Sequence, residues 1–243
     1  MPVLLEICVD DAAGIDAAIA GGADRIELCS ALELGGLTPS MALVDYAIAA
    51  GCPVHMMIRP RSGGFALMQG DAELMCDEIR LGIEHGIGGV VVGALREDGT
   101  LDCEALARFR DAARDAAIVL HRAIDLVPDP VAAVREVAAL GYDKILSSGG
   151  APIAAEGMAT LAAMVGAAGD RLSIIAGSGI APDNVGQILR GTAVREVHAS
   201  ASRPGPQPDV PSIRFGFAGA PRRRTDSGIV RDLRAAIVAA GQD

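Results

Sequence analysis

The sequence predicts a single (β/α)8 barrel of parallel strands. Short runs rich in β-branched residues alternate along the chain with Ala- and Leu-rich stretches of helical spacing, and strict alternation of this kind indicates a parallel sheet. Eight such units fit into the 243 residues, which matches the barrel in count and size. An open doubly wound sheet is the alternative, but it would usually carry a glycine fingerprint after its first strand, and CVDDAAG (8–14) lacks one. We therefore expect one domain over 1–243.

The predicted strands begin about 22 to 35 residues apart, the span of one βα unit. They cover residues 3–9, 25–29, 54–59, 89–93, 118–122, 144–148, 172–176 and 196–200. The predicted helices cover residues 12–20, 39–50, 71–85, 102–116, 129–140, 153–168, 182–190 and 226–240. Asp11 can cap the first helix, and Thr38 followed by Pro39 is a candidate start of the second. Several helices end at a glycine, as at Gly21. A Pro/Gly/Arg-rich loop is expected at about 203–225.

Composition and charge exclude several classes of function. The chain has 21 basic and 31 acidic residues, a formal net charge of −10, which argues against binding to nucleic acid or to an anionic membrane. Aromatic residues make up 2% of the chain, so stacking platforms for single-stranded nucleic acid are missing. No apolar stretch has the length of a membrane span, and the N-terminus lacks the basic start of a signal peptide. We expect a cytoplasmic protein.

The five cysteines are odd in number and never spaced as CxxC, so free thiols in a reducing compartment are expected. Two of them occur in the same tripeptide, Glu6-Ile7-Cys8 and Glu27-Leu28-Cys29, at the ends of adjacent predicted strands. Side chains alternate along a strand, so the Glu and the Cys of each tripeptide share a face. In such barrels the carboxyl ends of the strands carry the site. The remaining cysteines, Cys52, Cys76 and Cys103, are interpreted as bystanders.

Charged residues within parallel strands are a second signal, because such strands are normally apolar on both faces. Glu6, Glu27, Arg59, His121 and His198 all fall late in predicted strands. They favour a functional site over a structural ion network, although a network remains the alternative. The glycine turns after the sixth and seventh strands are a candidate anion site, and plain tight turns explain them equally well. The residues of that candidate anion site are Gly149, Gly150, Gly177, Ser178 and Gly179.

The single lysine limits the chemistry. Lys144 opens the sixth predicted strand, at the end of the barrel opposite the expected site. A Schiff-base enzyme needs its lysine inside the pocket, so that reaction is disfavoured.

Five segments together resemble the CutC copper homeostasis family, and the likeness spans nearly the whole chain. They are GGADRIELCSALELGGLTPS (21–40), MIRPR (57–61), HRAID (121–125), LSSGG (146–150) and EVHASAS (196–202). The resemblance implies a cytoplasmic (β/α)8 barrel that forms homodimers or higher oligomers, takes part in copper handling, and holds Cu(I) on Cys8 and Cys29. The loop at Ser62 lacks an acidic residue usual in the family, and Ala199 stands where a cysteine is frequent. Neither departure touches the two proposed ligands.

Two functional hypotheses follow. The first is a copper homeostasis protein that binds Cu(I) through the paired thiols of Cys8 and Cys29, since a soft ion prefers thiolate ligands. The alternative is an enzyme that uses acid–base chemistry on a small anionic metabolite that could carry a phosphate. The residues that would serve the enzyme are Glu27, Arg59, His121, Asp125 and His198.

Overall fold

The computed structural model describes residues 3–241 and contains a closed barrel of eight parallel strands, which confirms the predicted fold. Each strand pairs with its neighbour in sequence, and the first pairs with the eighth to close the ring. The barrel strands are β1 Leu4–Val9, β2 Arg25–Leu28, β3 Val54–Met57, β4 Gly89–Val92, β5 Ala117–Leu120, β6 Lys144–Ser147, β7 Ser173–Gly177 and β8 Glu196–Ala199. Several are shorter than predicted, so Arg59 and His121 lie just beyond β3 and β5 rather than within them.

Helices connect the strands. They are α1 Ala12–Gly21, α2 Met41–Ala49, α3 Asp71–Glu84, α4 Cys103–Ala113, α5 Pro130–Ala139, α6 Met158–Ala168 and α7 Val185–Thr192, with α9 Ser227–Ala240 at the end of the chain. Asp11 caps α1 by accepting a hydrogen bond from the Gly14 N–H, as expected. The expectation for α2 was wrong, because Ser40 and not Thr38 is its N-cap. The Thr38 hydroxyl instead bonds Glu78 and the Arg59 backbone.

The segment predicted as a loop at about 203–225 has its own structure. Strand β9 (Ser202–Pro204) and strand β10 (Arg223–Thr225) form an antiparallel ribbon, with a short helix, α8 (Val210–Arg214), between them. Arg222 lies beside this ribbon and ion-pairs with Asp10 at 2.6 Å, which ties the ribbon to the end of β1.

Side-chain alternation divides the buried residues into two groups. Residues that face outward, such as Leu5, Ile7 and Ile26, pack against the helices in the main core. Inside the barrel, one apolar cluster fills the middle: Cys29, Met57, Val91, Val119, Leu146 and Ile175.

Below this cluster lies a charged group at the amino ends of the strands, which we call the floor: Glu6, Arg25, Lys144 and Glu196. Arg25 binds both Glu6 and Glu196, and Lys144 binds Glu196. Lys144 therefore lies at the end of the barrel expected from the sequence.

Candidate functional site

The carboxyl ends of β8, β1 and β2 bring together a thiol, an imidazole and a carboxylate. Ligand atoms of Cys8, Glu27 and His198 all lie within 4.8 Å of one another. The parallel register explains this meeting, because Cys8 is paired with Glu27 across β1 and β2 while Glu6 is paired with His198 across β1 and β8. All three side chains are buried; Cys8 is 8% exposed and His198 is 9% exposed. We call these residues, together with Cys29, the sulfur cluster.

Glu6 fixes the orientation of the His198 ring. Its Oε1 lies 2.8 Å from Nδ1 of His198, and its Oε2 accepts from the Nε–H of Arg25. Burial alone would raise the pKa of Glu6, but the hydrogen bond with His198 and the charge of Arg25 hold it well below its usual range. An ionised Glu6 accepts the proton on Nδ1, so the Nε2 edge of the ring faces the cluster, 3.8 Å from Glu27 Oε2.

The second predicted thiol, Cys29, lies outside this group of three mutually close ligand atoms and contacts it through Glu27. The Cys29 thiol donates to Glu27 Oε2 at 3.6 Å, and Cys29 is completely buried. Burial, followed by the neighbouring charge of Glu27, raises the pKa of Cys29 well above its usual value. Burial also raises the pKa of Glu27. A Cβ added at Gly36, which has φ +82°, would lie 3.1 Å from the Cys29 sulfur, so this glycine lets the loop close over the thiol.

The other cysteines lie elsewhere. The Cys76 thiol in α3 donates to the Arg108 carbonyl, Cys103 begins α4, and Cys52 precedes β3. None of the three shares in the cluster of ligand atoms found within residues 3–241.

Arg59 and His121 lie on the other side of the same opening, above β3 and β5. The two terminal nitrogens of Arg59 donate to the carbonyls of Leu34, Gly36 and Gly63. Nδ1 of His121 accepts from the Ala123 N–H at 3.1 Å. Burial, and then the charge of Arg59, lowers the pKa of His121 to about 3, so the imidazole is neutral near pH 7.

Asp125 does not face this opening as a free acid. Its carboxylate accepts hydrogen bonds from the Ser147 hydroxyl, from the Ser148 N–H and from the Gly150 N–H, and it ion-pairs with Arg122 at 2.8 Å. Burial would raise the pKa of Asp125, but these hydrogen bonds lower it. Asp125 is therefore a structural anion of the loop after β6.

This arrangement bears on the candidate anion site. The Gly150 N–H already binds Asp125 and the Gly149 N–H binds the Ser147 hydroxyl, so neither donor is free for an external phosphate. In the second turn, the Ser178 hydroxyl donates to the Pro152 carbonyl and Ser178 has φ 76°. The role of Gly177, Ser178 and Gly179 stays a prediction.

Sequence reasoning missed two contributors to this end of the barrel. Phe65 packs on His121 with ring centroids 4.7 Å apart and stands 5.1 Å from the Arg59 guanidinium carbon. Gly93 leaves the space that the His121 ring fills, since a Cβ there would lie 2.2 Å from the ring. In the sequence, the one signal was a glycine at the end of an otherwise branched strand, GVVVG.

Fold and site together define a (β/α)8 barrel with a thiol–imidazole–carboxylate cluster at the carboxyl ends of its strands. The chain belongs to the CutC family, whose model matches residues 3–203. A CutC family protein of Sinorhizobium medicae is 46% identical over 97% of this chain and 96% of its own length. One from Caulobacter vibrioides is 45% identical over 89% of this chain and 88% of its own.

Solved structures agree with this assignment. A CutC protein of Streptococcus agalactiae, named as a copper homeostasis protein, has a TM-score of 0.78 at 28% identity and covers 82% of this chain and 98% of its own. A thiamine phosphate pyrophosphorylase of Pyrococcus furiosus has a TM-score of 0.60 at 14% identity, covers 98% of this chain and 96% of its own, and supports the barrel fold alone. Across residues 3–241, no helix combines the length and apolarity needed to cross a bilayer.

Proposed function

We propose that this protein handles copper and binds Cu(I) at the sulfur cluster, through the thiols of Cys8 and Cys29 and Nε2 of His198. The observation that carries the proposal is the meeting of Cys8, His198 and Glu27, whose ligand atoms lie within 4.8 Å of one another. The S. agalactiae relative, named for copper homeostasis, adds support.

The donor set suits Cu(I) better than a hard cation. Thiolate is the preferred ligand of Cu(I), and imidazole also suits copper, whereas a hard cation would need several oxygens. Glu27 supplies an oxygen, so we assign it the role of proton acceptor rather than of metal ligand. The Cys29 thiol already donates to Glu27 Oε2, so this carboxylate can accept the thiol proton when the sulfur takes a metal.

Glu6 acts as a positioning residue for His198. Nδ1 of His198 faces Glu6, so Nε2 faces the cluster. Burial would lower the pKa of His198, but the charges of Glu27 and Cys8 raise it well above its usual value, so Nε2 would release a proton when it takes a metal. A carboxylate behind a metal-binding histidine fixes its tautomer and strengthens it as a ligand. Arg25 in turn neutralises Glu6, so the floor supports the proposed metal centre.

Competition with a Cu(I) chelator under reducing conditions tests the proposal. The wild-type protein should retain Cu(I), and the Cys8→Ser/Cys29→Ser double variant should lose it at least tenfold more readily, because a hydroxyl is a poor ligand for a soft ion. Cys76→Ser, a thiol on α3, is the matched control and should behave as wild type. X-ray absorption of the loaded protein should show sulfur and nitrogen neighbours. Equal Cu(I) retention by the wild type and the double variant would refute these thiols as the site.

We also propose that the protein acts in the cytoplasm as a homo-oligomer. All five cysteines are free thiols, which suits a reducing compartment. The exposed aromatic rings of Phe215 and Phe217, next to α8, are 69% and 85% exposed and offer apolar surface for self-association. Light scattering should give a mass above that of the 24.7 kDa chain. A monomeric mass at micromolar concentration would contradict this part.

A further inference from the structure

Two buried N–H groups above β3 and β5 point to a ligand that the copper proposal does not use. They are the Nε–H of Arg59 and the Nε2–H of His121, and neither nitrogen has a hydrogen-bond partner in the part of the chain that the structure describes. Arg59 is 9% exposed and His121 is 5% exposed. A buried donor without a partner is costly, so a pair of them in one place is a specific feature.

The tautomer of His121 is set by the backbone. Because Nδ1 accepts the Ala123 N–H, the single proton of the neutral ring must be on Nε2. The ring occupies the space above Gly93, where a Cβ would lie 2.2 Å from it. Gly93 follows β4, between β3 and β5, so the imidazole reaches toward the strand that carries Arg59. The structure thus offers a neutral N–H donor on that side of the opening.

Arg59 brings a positive charge that no acid neutralises among the residues that the structure describes. Its terminal nitrogens donate only to carbonyl oxygens, and none of the ion pairs found within residues 3–241 includes it. The other interior arginine, Arg25, binds two carboxylates. Buried charges are normally paired, so the Arg59 guanidinium is expected to bind an anion from outside the chain.

Phe65 contacts both donor side chains and follows an exposed part of the loop after β3. Its ring lies 5.1 Å from the Arg59 guanidinium carbon and 4.7 Å from the His121 ring. The ring is half-buried, and the preceding residues Gly63 and Gly64 are exposed. A small molecule entering past this loop would meet Phe65 together with Arg59 and His121, which both contact its ring.

We propose that Arg59 and His121 bind a small carboxylate. One positive charge and two N–H donors match a singly charged anion with two oxygens. A phosphate would bring more charge and more oxygen acceptors, and the glycine turn after β6 that might serve them already binds Asp125. This inference goes beyond the copper proposal and stands without it.

Formate and acetate are suitable probes, with sodium chloride at equal ionic strength as the reference. Formate at tenfold excess over its dissociation constant should raise the melting temperature of the wild type by about 3 °C. Arg59→Lys, which removes the Nε–H, should lose this rise. Arg61→Lys is the matched control in the same loop, since Arg61 binds Asp71, and it should keep the rise. Cys8→Ser should also keep it, which separates this test from the copper proposal.

Nitrogen-15 NMR of the wild type gives a second readout that does not depend on a foldable variant. Formate should shift the signals of Arg59 Nε–H and His121 Nε2–H, and chloride should not. Three results would overturn the inference. They are an equal rise in melting temperature in Arg59→Lys, unmoved signals of both donors at saturating formate, and tighter binding of inorganic phosphate than of formate.

Discussion

Arg25 and Arg59 are both buried inside the barrel, yet their surroundings differ. Arg25, on the floor, binds Glu6 and Glu196, and although burial would lower its pKa, these two charges raise it. Arg59, at the opposite end, donates to carbonyl oxygens and takes part in no ion pair within the described residues, and burial, followed by the charge of Arg61, lowers its pKa. The charged side chains of the floor therefore neutralise one another through ion pairs. Within residues 3–241, the upper end holds a charge without an ion-pair partner and donors without acceptors, which is the pattern expected of a ligand-binding surface.

The largest expected effect comes from breaking the floor. Arg25→Met should lower the free energy of unfolding by about 3–5 kcal/mol, because Glu6 would lose its arginine and Glu196 would keep only Lys144. Urea denaturation measures the change. Arg80→Met is the control, since Arg80 and Asp77 form an exposed ion pair whose loss should cost about 0–1 kcal/mol. Equal losses in the two variants would show that the floor is not a buried ion network.

A smaller effect is expected at the upper end. Gly93→Ala should destabilise the protein by about 1–3 kcal/mol, because the added methyl collides with the His121 ring. It should also reduce the response to formate, since the ring must move. Gly64→Ala is the control, as a Cβ there meets nothing within 4 Å. If Gly93→Ala is as stable as Gly64→Ala, the ring does not occupy the space above Gly93.

The last prediction compares the two ends by pH, with an effect per histidine within the range given for Gly93→Ala. Burial lowers the pKa of His55, beside the floor, to about 4, and that of His121 to about 3. An unfolded histidine takes up a proton near pH 6.5, so the unfolded chain binds more protons than the folded one below that pH. Stability should therefore fall as the pH drops from about 6.5 toward 4, by about 2 kcal/mol per histidine at pH 5.

Urea denaturation between pH 7 and pH 4.5 measures this slope. His121→Gln and His55→Gln should each reduce this slope by the contribution of one proton, and the two reductions should be equal. A slope unchanged in His121→Gln would mean that the His121 ring is protonated in the folded protein, which would contradict the neutral donor assigned to it.

The fold was predictable because the hydrophobic pattern changes period eight times, but the register between neighbouring strands was not. The repeated Glu-x-Cys placed both tripeptides on adjacent strands, but the register sets Cys8 opposite Glu27 rather than opposite Cys29. The hydrogen bonds of Asp125 could not be predicted, since its partners Ser147 and Gly150 lie more than twenty residues away along a turn whose path the sequence does not reveal. For the same reason, the sequence did not predict the loop carbonyls that accept hydrogen bonds from Arg59. It also predicted a loop where β9 and β10 form a ribbon.

The carboxylate of Asp125 also decides when the loop after β6 becomes ordered. In a barrel whose glycine turn binds a phosphate, the backbone of that turn loses conformational entropy only when the ligand binds. This loss lowers the affinity for the phosphate. Here Asp125 satisfies the turn from within, so the ordering entropy is lost once, during folding. The wall after β6 is therefore rigid before any ligand binds, and a ligand that enters beside it meets a preorganised surface.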